Sequence, residues 1–524
     1  MESCFYRSER FTIDYFTPKI KAAGNAYCLC VIAISALGIF LQLKGLRQLN
    51  DWKKKKWLIQ LEAVDLLFGG IILTVTTGLW FWANSVAAPS NDEVFSALNC
   101  AGIHPFQSMS YYMLPNNHVL FNLLNNIVFH AVDNKVASGR VLSLFFYWSI
   151  ILILFSLFRS VIKNKWLALL AALTLSVQFP IWCFGCQGRG YELVALAGWV
   201  SLLAFMKYTA GREGKWLYVM LIAGCIGYFA VPVFMYFHAA VLVFAFCMQV
   251  AGRKADWRFW KFQAVCIMVV FLLYLPCFCF SGVQAITGNP WLTIEQPYSE
   301  ILSNLVDTCH EYMIFTFCNI GRGNFYPDLV LFLLPFSLLF YRNNPTAKFF
   351  GRFYCCMWGI LVLFVIKMKV YPMDRALPGQ FSVTLALVIY ALYLALSALA
   401  AKMHFPRLSA IVLSIALLLM QANFVDQDRF HGVHYQCHFH VDTWEKLLSD
   451  GINTSIPRGR SVAFSDESFY FYFLCKNYGY DVTKCARGNE QYMIKLRHEP
   501  FFIGKEEDYV MLQPVGDYGI YKKK

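Results

Sequence analysis

Residues 138–161 read SGRVLSLFFYWSIILILFSLFRSV. The eighteen residues between Arg140 and Arg159 carry no charge, and a helix of that length rises about 27 Å, close to the hydrocarbon thickness of a bilayer. The run reads as a membrane-spanning helix with an arginine at each end. Similar stretches recur outward from it in both directions, near 25 to 43, 62 to 83, 166 to 182, 191 to 208, 216 to 230, 233 to 250, 261 to 281, 327 to 341, 350 to 367, 377 to 398 and 406 to 424, about twelve in all. Val231-Pro232 divides one very long run, because proline favours a break there. Composition agrees: of 524 residues, 58% are hydrophobic and only 15% charged, and the mean hydropathy is +0.48. Too little charge is present to cover soluble domains or to keep a chain unfolded in water, so the class is a polytopic α-helical membrane protein. The 18 Cys lie mostly in apolar runs (Cys28, Cys30, Cys225, Cys277, Cys279), where a thiol acts as a small hydrophobe.

The net charge of +13 is first a topology signal rather than a nucleic-acid footprint. Lys44, Arg47 and Lys53 to Lys56, then Arg159, Lys163 and Lys165, then Lys207, Arg212 and Lys215 fall in loops on one side. Arg253, Lys254, Arg258 and Lys261, then Arg342, Lys348 and Arg352, then Lys402 and Arg407 continue it, and that side is expected to be cytoplasmic. The outer side then carries loops 84 to 137 and 283 to 326 and everything after 425. Three parts follow: 1–61, an apolar helix and a basic loop; 62–424, the membrane domain; and 425–524, a small α/β domain outside, with RSVAFSDE, YMIKLR and DYVMLQP as strands and DTWEKLLSDG and SFYFYFLCKNYG as helices. Arg7, Arg10, Lys19 and Lys21 conflict with a crossing at 25 to 43, which leaves an interfacial or re-entrant first segment open.

On the basic-poor outer side Arg140, Arg189, Arg322, Lys367, Lys369 and Arg375 stand at the ends of spans. Each alone is explained by snorkelling or a local acid partner; together they suit an anionic ligand, and arginine's fork suits phosphate. Loop 84 to 137 begins NSVAAPSNDEVFSALNCAG, so Asp92 and Glu93 lie just past a span. A vicinal acid pair there is either a general base with a supporting acid or a helix N-cap, since Ser90, Asn91 and Asp92 can all accept first-turn N–H bonds.

That acidic pair, then PNNHVLFNLL (115–124), SGRVLSLFFYWSIILILFSLFR (138–159), GRGYELVALAGWVSLLAF (188–205) and YPMDRALPGQFSVTLAL (371–387) occur in the order seen in a known group. The chain resembles GT-C glycosyltransferases of the protein O-mannosyltransferase and aminoarabinose-transferase type, particularly bacterial relatives, over roughly residues 60 to 400. The resemblance implies a polyprenyl-phosphate-linked sugar donor, transfer to an acceptor glycan, lipid or protein on the outer face, and a bacterial inner (plasma) membrane location. Carried over, Asp92 is the catalytic base and Glu93 its supporting acid. His118 sits at the rim of the same cavity, Arg140 opens the next span, Arg189 and Tyr191 match an RGY element, and Arg375 faces the donor phosphate. Glu192 follows where a small residue is usual. The Asp-x-Asp pattern of metal-dependent relatives is missing, so no cofactor or metal is implied. The expected reaction is displacement with inversion at the anomeric carbon, with cations neutralising the departing phosphate and the polyprenyl tail lying among Phe364, Tyr371 and Phe381.

Three further motifs admit functional readings. HGVHYQCHFH (431–440) has zinc- or copper-like spacing or is an interfacial turn; Cys183 and Cys186 are a redox pair or packing; Cys475 and Cys485 can oxidise to a disulfide. The alternatives to transfer are a transporter or flippase and an oligosaccharide ligase or polymerase. Against transport, the unusual residues gather at one face, with no internal repeat.

Overall fold

A computed structural model describes residues 62–110, 112, 117–281, 297–321, 324–422, 441–466, 468–483 and 490–524, with short pieces between 18 and 33. Most of the first apolar run, the basic loop at 53 to 56, Arg322, the segment 431–440 and Cys485 lie outside these residues. Helix α1 (Ala63–Val86) leads to a short helix α2 (Asn91–Ser96) and to α3 (Val119–Ala131), which build the outer loop. The bundle continues with α4 (Ser138–Val161), α5 (Lys165–Ser176), α6 (Phe179–Cys186), α7 (Tyr191–Gly211), α8 (Lys215–Ala230), α9 (Phe234–Ala251) and α10 (Trp257–Leu273). It closes with α11 (Leu305–Gly321), α12 (Phe325–Leu333), α13 (Pro345–Met368), α14 (Pro378–Lys402) and α15 (Pro406–Ala422).

Among the described residues six helices are long and apolar enough to cross a membrane, and a seventh span results if α5 and α6, bent by 62°, count as one. This is an integral membrane protein. Several of the expected spans are shorter or broken, for local reasons. Run 166 to 182 bends where Pro180 opens α6; run 261 to 281 stops at Leu273 and restarts as Leu275–Phe280 around Pro276; run 327 to 341 tightens into a 3-10 turn, Leu334–Phe340, at Pro335. The break at Val231-Pro232 falls where expected, between α8 and α9. Helix α14 runs through the middle, every residue from Pro378 to Ala391 being buried. That burial explains why this half carries no charge and keeps its few polar side chains, Gln380, Ser382 and Thr384, inside the bundle, since none of its faces meets water or lipid.

Residues after 441 form a second core. Strands β1 (Ser461–Phe464), β2 (Asp481–Thr483), β3 (Tyr492–Leu496), β4 (Tyr509–Val515) and β5 (Tyr518–Lys523) make one sheet in the order β2-β1-β3-β5-β4, with β1 parallel to β2 and β3 and the β5 pairings antiparallel. The sequence points to strands β1, β3 and β4 but not to the three-residue β2 or to β5. Helix α16 (Phe469–Asn477) packs its rings on β1, with Phe464 and Phe471 at 5.0 Å between centroids. The same core takes in Val94, Phe95, Cys100 and Phe106 of the outer loop. Each fully buried ring here stabilises by roughly 1.5–3 kcal/mol, so the sheet domain and the outer loop hold one another in place.

Candidate functional site

The acidic pair divides by orientation. Ser90 caps α2: its hydroxyl accepts the Glu93 N–H at 3.3 Å, and Glu93 Oε2 accepts the Ser90 N–H at 2.8 Å. This reciprocal capping box turns Glu93 inward, where it is 1% exposed. There it accepts a bidentate pair from Arg140, Nε at 2.8 Å and Nη2 at 3.0 Å, and the Gly188 N–H at 2.6 Å. Burial pushes the Glu93 carboxyl up, but the Arg140 charge and these hydrogen bonds outweigh it and hold the group below its ordinary value. Arg140 also donates to Asn84 Oδ1 and the Ala87 carbonyl at 2.8 Å and to the Ala88 carbonyl at 3.0 Å. All five N–H directions are engaged within the protein, so Arg140, expected at the substrate, is a buried tie between α4 and the outer loop. The tie needs close backbone approach: a Cβ on Gly139 would meet Gly188 Cα at 2.9 Å.

With Ser90 as cap, Asp92 is released from that alternative and its carboxylate faces two guanidinium groups, Arg375 Nη1 at 3.5 Å and Arg189 Nη2 at 3.6 Å from Oδ2. Arg189 also donates to the Asp92 carbonyl at 3.1 Å and to Ser96 Oγ at 2.9 Å. Ser96 was missed in the sequence, although it stands one helical turn after Asp92 on the same face of α2. His118 does not sit at a rim: it is 1% exposed, beneath the cluster, in edge-on contact with Tyr191 at 4.7 Å between centroids. The Gly190 N–H donates to His118 Nδ1 at 2.8 Å, and the donor Arg189 Nη2 lies 3.2 Å from Nε2, so both ring nitrogens face donors and a doubly protonated ring is disfavoured. Burial, then the charges of Arg189 and Arg375, drive the His118 pKa well down, so the ring is neutral at ordinary pH.

Arg189 is buried and Arg375 is not, its side chain keeping 30% exposure. Arg375 is the middle residue of a 3-10 turn, Asp374–Ala376, just before α14; Pro372 is anchored by the Tyr312 hydroxyl on its carbonyl. The Asp374 carboxylate accepts the Arg375 backbone N–H at 2.6 Å, while the Arg375 guanidinium reaches Asp92. Burial raises the Asp374 pKa, with the Arg375 N–H and charge opposing. Cys183, Phe184, Gln187, Tyr191, Phe315, Asp374 and Arg375 line a narrow cleft of about 20 Å³, open on one side. Gln187, Phe184 and Phe315 were not anticipated; Phe315 lies on α11, whose mixed polarity kept it out of the list of spans.

The other expectations separate as follows. Lys369 caps α13 in a left-handed conformation and lies over the Tyr298 ring at 5.0 Å, and Lys367 is exposed on the last turn of that helix. Phe381 is fully buried on Phe315 and Trp358, Phe364 packs edge-on against Tyr236, and the Tyr371 hydroxyl donates to the Ile301 carbonyl at 2.6 Å. Those rings are therefore packing in this structure, and Phe315 takes the position at the cleft. Glu192 is buried in the first turn of α7, its Oε1 without a hydrogen-bond partner. Among the described residues Cys183, Cys186 and Cys475 form no disulfide.

No protein-family model matches the chain, and no curated protein sequence matches it. Among solved structures, ArnT from Cupriavidus metallidurans in the apo state superposes with a TM-score of 0.52 at 10% sequence identity, over 88% of this chain and 98% of that one. The same protein bound to undecaprenyl phosphate gives 0.52 at 11% identity with the same coverage. Identity this low speaks to architecture alone, and the likeness in architecture extends over most of both chains. The chain has the fold of these ArnT structures.

Proposed function

We propose that this protein is an integral membrane glycosyltransferase that moves a sugar from a polyprenyl-phosphate donor to an acceptor hydroxyl, with inversion, on the extracytoplasmic face. The observation that carries the reading is Asp92, placed between Arg189 and Arg375 beside the cleft, while its neighbour Glu93 is tied up inside. Asp92 is the general base for the acceptor hydroxyl and stabilises positive charge developing on the sugar ring. Arg375, half-exposed with a planar fork, receives the phosphate as the bond to the anomeric carbon breaks. Arg189, held by Ser96 and the Asp92 carbonyl, positions the base; His118 and Tyr191 pack that guanidinium in place. The reaction as proposed uses carboxylate and guanidinium groups alone. A lipid-phosphate donor is supported by the capture of ArnT, which has the same architecture, with undecaprenyl phosphate.

The proposal includes about twelve crossings, reached by counting the shorter apolar helices and the first apolar run, and a domain from 425 onward that covers the outer loop. Phe469 at the start of α16 donates its backbone N–H to Asn91 Oδ1 at 2.9 Å, next to the proposed base, so this domain sets the position of α2. The test is a transfer assay with purified protein, polyprenyl-phosphate sugars of several kinds and a panel of hydroxyl acceptors. Release of polyprenyl phosphate with inverted product, abolished by Asp92→Asn, is expected. Translocation of an intact lipid-linked sugar without bond cleavage would replace the enzyme by a flippase.

A further inference from the structure

A second concave site lies at the opposite, basic end of the bundle, away from Asp92. Phe246, Gln249 and Val250 of α9, Arg253, Lys254 and Ala255 of the connecting loop, and Trp257 and Trp260 of α10 line a groove of about 500 Å³. We propose that this groove binds the phosphate headgroup of an anionic glycerophospholipid, with the first part of an acyl chain along Phe246 and Val250.

The chemistry is complementary in three ways. Arg253 and Lys254 are exposed and, among the described residues, neither makes an ion pair. The acid next to them is already engaged: Asp256 accepts from Arg212 Nη1 at 2.6 Å, from the Tyr208 hydroxyl at 2.7 Å and from the Phe259 N–H at 3.2 Å. The groove therefore presents net positive charge to a headgroup. Gln249 Oε1 accepts both the Trp260 indole N–H at 3.0 Å and the Asp256 N–H at 2.9 Å, which fixes the amide and leaves its Nε2 as a neutral donor in the lining.

The apolar side points to a lipid rather than to free phosphate. Trp257 is 73% exposed, Val250 60% and Phe246 57%, at the point where two helices leave the apolar zone. Indole rings at that depth belong to the interface, and basic pockets between helix ends are where acidic headgroups are held. Arg253 has a φ of 49°, and its N–H and that of Lys254 return to the Val250 and Gln249 carbonyls, so the chain reverses at the end of α9 beside the groove.

The test uses the delipidated full-length protein in neutral detergent, titrated with phosphatidylglycerol, phosphatidylcholine or inorganic phosphate and read by native mass spectrometry. One tightly retained phosphatidylglycerol is expected. Its affinity should fall about thirtyfold in Arg253→Gln/Lys254→Gln and about fivefold in Lys254→Gln alone, which leaves the left-handed residue untouched. Equal binding of phosphatidylglycerol to wild type and the double variant would overturn the proposal. So would equal retention of phosphatidylcholine by wild type, or displacement of the lipid by phosphate alone. None of these readouts depends on glycosyl transfer.

Discussion

Asp92 and Glu93 are adjacent acids, and their isosteric amides should fail in opposite ways. Asp92→Asn removes a carboxylate that is 30% exposed and 3.5 to 3.6 Å from two guanidinium groups. Pairs with that much solvent are worth at most about 1 kcal/mol, so the unfolding free energy should change by no more than that. Turnover should drop at least about a hundredfold, since the amide cannot take the acceptor proton. Glu93→Gln leaves Arg140 charged at 3% exposure and turns an amide N–H toward groups that are all donors: Arg140, the Ser90 N–H and the Gly188 N–H. Breaking a buried pair from one side costs about 3–5 kcal/mol, and turnover per folded molecule should fall less than in Asp92→Asn. The two variants are compared by thermal unfolding in detergent and by single-turnover transfer on the folded fraction. A stability loss in Asp92→Asn equal to that in Glu93→Gln, or near-normal turnover in Asp92→Asn, would refute the division of roles.

Arg375→Lys should fold normally yet lose donor affinity and rate together, because a point charge cannot reproduce the fork; unchanged polyprenyl-phosphate binding would remove Arg375 from the site. His118 has a folded pKa well below that of the unfolded chain, so the stability tied to its neutral form is complete above the ordinary value of 6.5 and is lost as pH falls below it. Melting temperature should therefore decline from pH 7 to pH 5, with a shallower slope in His118→Gln; parallel slopes would count against the buried neutral imidazole. In a background lacking exposed native cysteines, Asp133→Cys and Glu507→Cys should react with an impermeant maleimide in intact cells, and Lys402→Cys only after permeabilisation. Labelling of Lys402→Cys from outside would invert the topology and remove the argument for a lipid-phosphate donor.

Much of this was local and therefore legible. Apolar runs set the helices, Pro232 placed one of their breaks, and the basic loops marked one end of the bundle. The spacing Ser90 to Glu93 is a capping box visible in the sequence, and it already tells against Asp92 as the cap. Amphipathic α11 was passed over because its polar residues spoil the hydropathy of a span, yet it carries Phe315 into the cleft.

What the sequence by itself determined is the class: 58% apolar residues in uninterrupted runs have no stable solution in water, and in lipid a helix satisfies its own backbone. The sorting of the charged side chains was decided only by tertiary structure. Arg140 and Arg375 are both outer arginines at helix ends, but one is buried among five acceptors and the other stands at an opening. The partners that separate them come from distant positions: Glu93 meets Gly188 95 residues on, and Arg189 reaches Asp92 and Ser96 97 and 93 residues back. A charge acts as a tie or as a reactive group according to how much water and how many fixed partners surround it, and those are set by helices packing across the bundle rather than by neighbours along the chain.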